Sequence, residues 1–184
     1  MANLILIAGD LASGKSTLAA SLSEQLNIVY LTKDSLKEIA CDAIGFSSRE
    51  ENRQLSISAI DSMIYFLKQS ALVGSSLILE ANFRNEEIRR IKEIADEYSY
   101  QVVLFCLTGD INLLYQRFLD RLVNRHPAHR SLNLDYSIDR FASYINEIRS
   151  QDLIYPVFKI DMTYLDEDEV VDKALDIIHQ ELGI

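Results

Sequence analysis

Residues 3–8 read Asn-Leu-Ile-Leu-Ile-Ala, with an unbroken apolar run from Leu4 to Ala8 that stops at Gly9, the pattern of a parallel strand covered on both faces. Over 16–25 the period lengthens, and Leu18, Ala19, Leu22 and Leu26 share one helical face. Residues 28–32 predict a second strand, and 35–43 a helix that stops at Gly45. Ser48 with Glu51 has the form of a capping box. It opens a long helix that turns Leu55, Ala59, Ile60, Met63, Leu67 and Ala71 inward and ends near Gly74. Residues 77–80 predict the third strand, and Asn85 with Glu86 and Glu87 caps a helix presenting Ile88, Ile91, Ile94 and Ala95. A fourth strand spans 101–107, and Asp110 caps a helix from Ile111 to about Arg125. Pro127 makes 126–134 irregular, 137–149 is helical, 157–160 is a fifth strand and 168–182 a closing helix. This alternation predicts a three-layer α/β/α fold on a five-stranded parallel sheet, one domain over 1–184.

Composition narrows the class. With 48% hydrophobic and 25% charged residues the chain reads as a soluble globular protein, and 6 Gly and 2 Pro leave no long linker. The first apolar run has no basic flank and is too short for a signal peptide or membrane span, so a cytoplasmic protein without membrane contact is expected. Cys41 and Cys106 stand in apolar surroundings and read as reduced thiols. The chain is expected to act as a monomer or homodimer.

Charge is uneven. Net charge is −10, yet Arg117, Arg121, Arg125 and Arg130 face only Asp120 between 111 and 130. The acidic closing segment reads as a solvated helix face. One basic stretch in an acidic chain suits a small anion such as a nucleotide and counts against long nucleic acid, which needs many phosphate contacts.

Gly9-Asp10-Leu11-Ala12-Ser13-Gly14-Lys15-Ser16 fits G-x-x-x-x-G-K-[ST] at every fixed position, directly after a strand and before a helix. The glycines let the backbone curl so that successive amides point at phosphate oxygens, and the helix N-terminus adds its dipole. These eight residues and Thr17 are expected to bind ATP. Lys15 reaches the β- and γ-phosphates, and the Ser16 hydroxyl ligates Mg2+.

Asp34 ends the second predicted strand, at the sheet edge where ligands of parallel α/β proteins bind. It suits a base that orients a hydroxyl and takes its proton, with a helix N-cap as the competing role. Glu80 ends the third strand and has the place of a metal-holding carboxylate, the alternative being a charge that reaches solvent. Asn82 and Arg84 follow at the same edge and are candidates for touching the phosphoryl acceptor. Arg117, Arg121 and Arg125, spaced by four, stack along a helix. Such a stack suits either a solvated face or a lid that neutralises charge on a γ-phosphate. Arg121 and Arg125 are the expected catalytic pair, with Arg117 in nucleotide binding. His126 and His129 lack a third metal ligand nearby and read as satisfied lid histidines.

The loop, together with Lys33-Asp34-Ser35-Leu36-Lys37, resembles the P-loop kinase group that holds polynucleotide kinases, zeta toxins, chloramphenicol phosphotransferase and shikimate kinases. The stretch Arg117-Phe118-Leu119-Asp120-Arg121 followed by Arg125-His126-Pro127-Ala128-His129 is similar to the lid of small P-loop kinases. The resemblance implies a P-loop NTPase fold of the nucleoside and shikimate kinase type, with a lid at about 117–140. It also implies transfer of the γ-phosphoryl group of ATP to a hydroxyl of a small molecule. Polynucleotide kinases carry Asp-x-x-Arg where this chain has Lys37, which counts against a polynucleotide 5′-hydroxyl. A nucleotide-sugar acceptor and an ATPase or switch without kinase activity stay open; the Asn-Lys-x-Asp guanine-reading motif of GTPases is absent.

Overall fold

A computed structural model describes residues 2–130 and 137–184. The chain runs β1 (Asn3–Gly9), α1 (Lys15–Leu26), β2 (Tyr30–Thr32), α2 (Lys33–Ile44), α3 (Arg49–Leu72), β3 (Leu77–Glu80) and α4 (Asn85–Glu97). It continues through β4 (Gln101–Thr108), α5 (Ile111–Leu122), a 3-10 turn (Pro127–His129), α6 (Ile138–Arg149), β5 (Val157–Asp161) and α7 (Glu167–Leu182).

All five strands are parallel, in the order β2-β3-β1-β4-β5. β1 is buried along its whole length, so both sides of the strand must be apolar. Leu4 and Leu6 point to one face, where Ile60, Met63 and Leu67 of α3 and Ile88 and Ile91 of α4 cover them. Ile5 and Ile7 point to the other, under Leu18 and Leu22 of α1 and Val170 and Ile178 of α7. The expected three layers follow from that alternation. A third cluster, Leu114, Phe118, Phe141 and Ile145, joins α5 to α6 and packs on Ala12 of the loop after β1.

Several ends differ from expectation for reasons outside the local pattern. Thr32, not Asp34, caps α2, its hydroxyl accepting from the Ser35 amide at 3.1 Å. Asp166 caps α7 with Glu169 as its box partner, and Arg84 takes the cap position of α4. The helix expected to reach Arg125 stops at Leu122. Arg130 folds back and donates to the Val123 and Arg125 carbonyls at 2.9 and 2.7 Å, satisfying groups that a longer helix would have paired itself. Arg125 therefore leaves the stack formed by Arg117 and Arg121. The expected lid segment 117–140 includes residues 131–136, which lie outside the described residues, as do the last positions of the expected irregular stretch 126–134.

Among the described residues, no helix is long and apolar enough to cross a membrane, and Cys41 and Cys106 are both free thiols.

Candidate active site

Two parallel registers build the site. Glu80 stands opposite Ile7 of β1 and Thr32 of β2, so the loop after β1, the start of α2 and the end of β3 meet at one sheet edge. Residues 11–17 line the cavity there, while Gly9 and Asp10 lie beneath it. Gly9 adopts φ +128°, and a Cβ on it would fall 2.1 Å from the Leu107 carbonyl oxygen of β4. Only glycine lets the loop leave the sheet this close to its neighbour.

Within the loop, the Asp10 carbonyl accepts from Lys15 Nζ at 2.6 Å and from Ser13 Oγ at 2.8 Å. Lys15 is buried, and its pKa is pushed down by that burial against the opposing pull of Glu80, Asp34 and Asp10. The Asp10 carboxylate is fully buried. It receives the Gly109 amide and a two-pronged contact from Arg149 at the end of α6. Arg149 escaped the sequence reading, because nothing near it in the chain marks a partner 139 residues away.

Ser16 Oγ donates to Glu80 Oε2 at 3.0 Å. Burial pushes the Glu80 carboxyl up, opposed by the Lys15 charge. A hydroxyl and a carboxylate side by side under a phosphate loop form a hard-oxygen donor set of the kind Mg2+ takes. These two residues fit the ion.

With Thr32 as cap, the Asp34 side chain is left half exposed to the cavity. Arg125 Nη2 lies 3.7 Å from its Oδ2 and His129 Nδ1 lies 3.8 Å from its Oδ1. The segment after α5 is not loose. Lys37 Nζ is buried and donates to the Ala128 carbonyl at 2.8 Å. His129 Nε2 pairs with Glu38 at 2.8 Å and His126 Nε2 with Asp42 at 2.9 Å. Asp34, Glu38 and Asp42 recur every fourth residue on α2, opposite a loop holding two His and an Arg. That matched pair of patterns is the signal in the sequence for the pairing of α2 with this loop.

The cavity encloses about 1140 Å³. Arg121 and Arg125 line it, and Arg117 does not. Asn82 and Arg84 line it as well, joined by Arg49 and Asn52 of α3 and Arg140 of α6, none of which carried a sequence signal. The amide oxygens of Asn52 and Asn82 are buried and have no hydrogen-bond partner in the protein among the described residues.

Residues 2–172 match the family model described as Zeta toxin. A Chloroflexus aurantiacus protein, provisionally designated a kinase, is 27% identical with a TM-score of 0.78, over 95% of this chain and 97% of its own. A gluconokinase from Sinorhizobium meliloti is 15% identical with a TM-score of 0.63, over 98% and 94% of the two chains. A shikimate kinase from Bacteroides thetaiotaomicron is 13% identical with a TM-score of 0.61, over 99% of each. The last two likenesses speak for the fold alone. No curated protein matches the chain.

Proposed function

The chain belongs to the zeta toxin family, and we propose that it is an Mg2+- and ATP-dependent phosphotransferase acting on a hydroxyl of a small anionic metabolite in the cytoplasm. The observation that carries this reading is convergence. The phosphate loop, the Ser16–Glu80 oxygen pair, the Asp34 carboxylate and the Arg121 and Arg125 guanidiniums all face one cavity.

The loop amides at the N-terminus of α1 hold the β- and γ-phosphates, and Lys15 exchanges its Asp10 carbonyl for phosphate oxygen. Ser16 and Glu80 are the residues that would hold Mg2+, which would supply neutralising charge to the phosphates. Asp34, freed from capping, orients the acceptor hydroxyl and takes its proton. Arg121 has no ion-pair partner among the described residues and is available for charge that builds on the transferred group.

Charge balance supports an anionic acceptor. Eight Lys and Arg side chains line the cavity against four Asp and Glu, in a chain of net −10. Magnesium-bound ATP brings only about two negative charges. The surplus near Arg49, Arg84 and Arg140 suits a phosphate or carboxylate on the acceptor, and the Asn52 and Asn82 oxygens suit its hydroxyl donors. A nucleotide-sugar acceptor is the second reading, supported by a cavity larger than ATP alone requires.

The test is ADP release from MgATP with and without a panel of anionic polyols, sugar phosphates and nucleotide sugars. Acceptor-stimulated turnover supports a kinase, and acceptor-independent turnover points to a hydrolase. Absence of calorimetric binding of ATP or GTP with Mg2+ would sink both.

A further inference from the structure

Each time a hydroxyl attacks phosphorus, one proton is left over, and Asp34 takes it in the mechanism above. Asp34 faces a cavity that two substrates fill, so its route to water closes during reaction. On its other side stands His129, whose side chain is only 7% exposed. His129 Nε2 lies 2.8 Å from Glu38 Oε1, and because a carboxylate oxygen accepts, Nε2 carries the hydrogen. In the neutral ring Nδ1 is then the nitrogen without a hydrogen, and it lies 3.8 Å from Asp34 Oδ1, beyond hydrogen-bond length. Two acceptors stand apart there, and a proton shared between them would draw them in to hydrogen-bond distance, a shift of about 1 Å.

The surroundings hold the ring in that posture. The Ala128 amide donates to His126 Nδ1 at 3.1 Å, which leaves Nε2–H of His126 to donate to Asp42. Lys37 pins the Ala128 carbonyl from α2. The charged groups facing His129 are Asp34, Glu38 and Lys37 of α2 and Arg125 from the segment after α5. Burial outweighs the two carboxylates and keeps the His129 pKa below its ordinary value, so the ring enters turnover neutral.

We propose that His129 is the proton store of the reaction, taking from Asp34 the proton that Asp34 takes from the acceptor. The idea rests on Asp34 being the base in the proposed transfer. As the acceptor oxygen bonds to the γ-phosphorus, the bond from phosphorus to the β–γ bridging oxygen breaks and leaves its electron pair on ADP. The acceptor's proton passes to Asp34 and on to Nδ1 of His129. The resulting imidazolium lies between the Asp34 and Glu38 carboxylates, and it returns the proton to water through Asp34 once products leave. Asp34 is thereby a carboxylate again before release and cannot reprotonate the product. Arg125, beside the other carboxylate oxygen, fixes which oxygen faces His129.

Imidazole NMR on the full chain tests the pairing without any acceptor, because there are only three His to assign. The expected result is an Nε2–H tautomer at pH 8, and a His129 titration that moves down by about half a unit or more in Asp34→Asn. An Nδ1–H tautomer, or a titration unmoved by Asp34→Asn, overturns the proposal. Turnover is then read as ADP release from MgATP with whichever anionic polyol, sugar phosphate or nucleotide sugar of the panel stimulates it most. In His129→Gln the side chain keeps its bond to Glu38 but offers no basic nitrogen. Its kcat is expected to fall about tenfold, with KM for ATP unchanged and the acidic limb of the pH profile displaced. Added imidazole should restore turnover to His129→Gly. A wild-type kcat and pH profile in His129→Gln overturns the proposal. If no acceptor of the panel stimulates ADP release by the wild type, the phosphotransferase reading fails separately, and the NMR coupling alone decides the Asp34–His129 pairing.

Discussion

Arg149 holds Asp10 through a fork: its Nη2 lies 2.6 Å from Oδ2, its Nε 3.1 Å from Oδ1, and Nη2 also donates to the Gly109 carbonyl at 2.7 Å. Asp10 has no exposure to water, so this guanidinium and the Gly109 amide are what keep its charge solvated. The hydrogen bond raises the Arg149 pKa further above its ordinary value. Because the main-chain carbonyl of Asp10 holds Lys15, α6 is tied through one residue to the cation of the phosphate loop.

Arg149→Met should strand the Asp10 charge. A fully buried partner would cost about 3–5 kcal/mol; Arg149 is 35% exposed, so about 2 kcal/mol is expected in urea unfolding. Adding Asp10→Asn removes the stranded charge, and the double variant should recover part of that loss. Equal, additive losses would show that the fork contributes nothing.

Lys15 and Asp34 separate binding from chemistry. Lys15→Ala should abolish engagement of the γ-phosphate, seen calorimetrically as ATP binding no tighter than ADP. Asp34→Asn should leave ATP affinity nearly intact while turnover drops by about two orders of magnitude. Full turnover in Asp34→Asn would remove it as the base.

Gly9→Ala and Gly45→Ala should differ sharply. At Gly9 the new methyl would meet the backbone of Leu107 at 2.1 Å, with φ at +128°. No side-chain motion relieves a backbone clash, so the variant should lose more than about 3 kcal/mol or fail to accumulate. Gly45 has φ +69° and nothing within 4 Å, so the same change there meets backbone strain alone, about 1–3 kcal/mol at its ψ of −175°. Similar melting temperatures for the two would contradict the close packing of the loop on β4.

His129 makes stability depend on pH in a stated direction. Its folded pKa lies below the unfolded value, so between the two the unfolded chain binds a proton that the folded chain does not. Stability is therefore highest above about pH 6.5 and falls as pH drops through that window. His129→Gln should flatten this slope between pH 5 and 7 in urea titrations, whereas an unchanged slope would assign it to other groups.

The nucleotide end of the site was readable along the chain because it is local. A strand with no polar interruption, two glycines and a Lys-Ser pair suffice to set a loop whose contacts lie within a few residues, and parallel strands deliver Glu80 and Asp34 to the same edge. Helix ends and partners needed the folded chain. Thr32 took the cap and left Asp34 free. Arg130 closed α5 early and moved Arg125 from the stack to Asp34, and Arg117 turned away from the cavity. Arg149, Asn52 and Arg140 came in from segments far apart, with no periodic or motif signal of their own, and the partner of Lys37 on the 3-10 turn had none either. Hydrophobic period and backbone geometry act over one or two turns, so the sequence alone determined the elements and the phosphate loop. Which charges meet is decided by packing α2, α5 and α6 over the sheet edge, where burial, and not spacing, selects each partner.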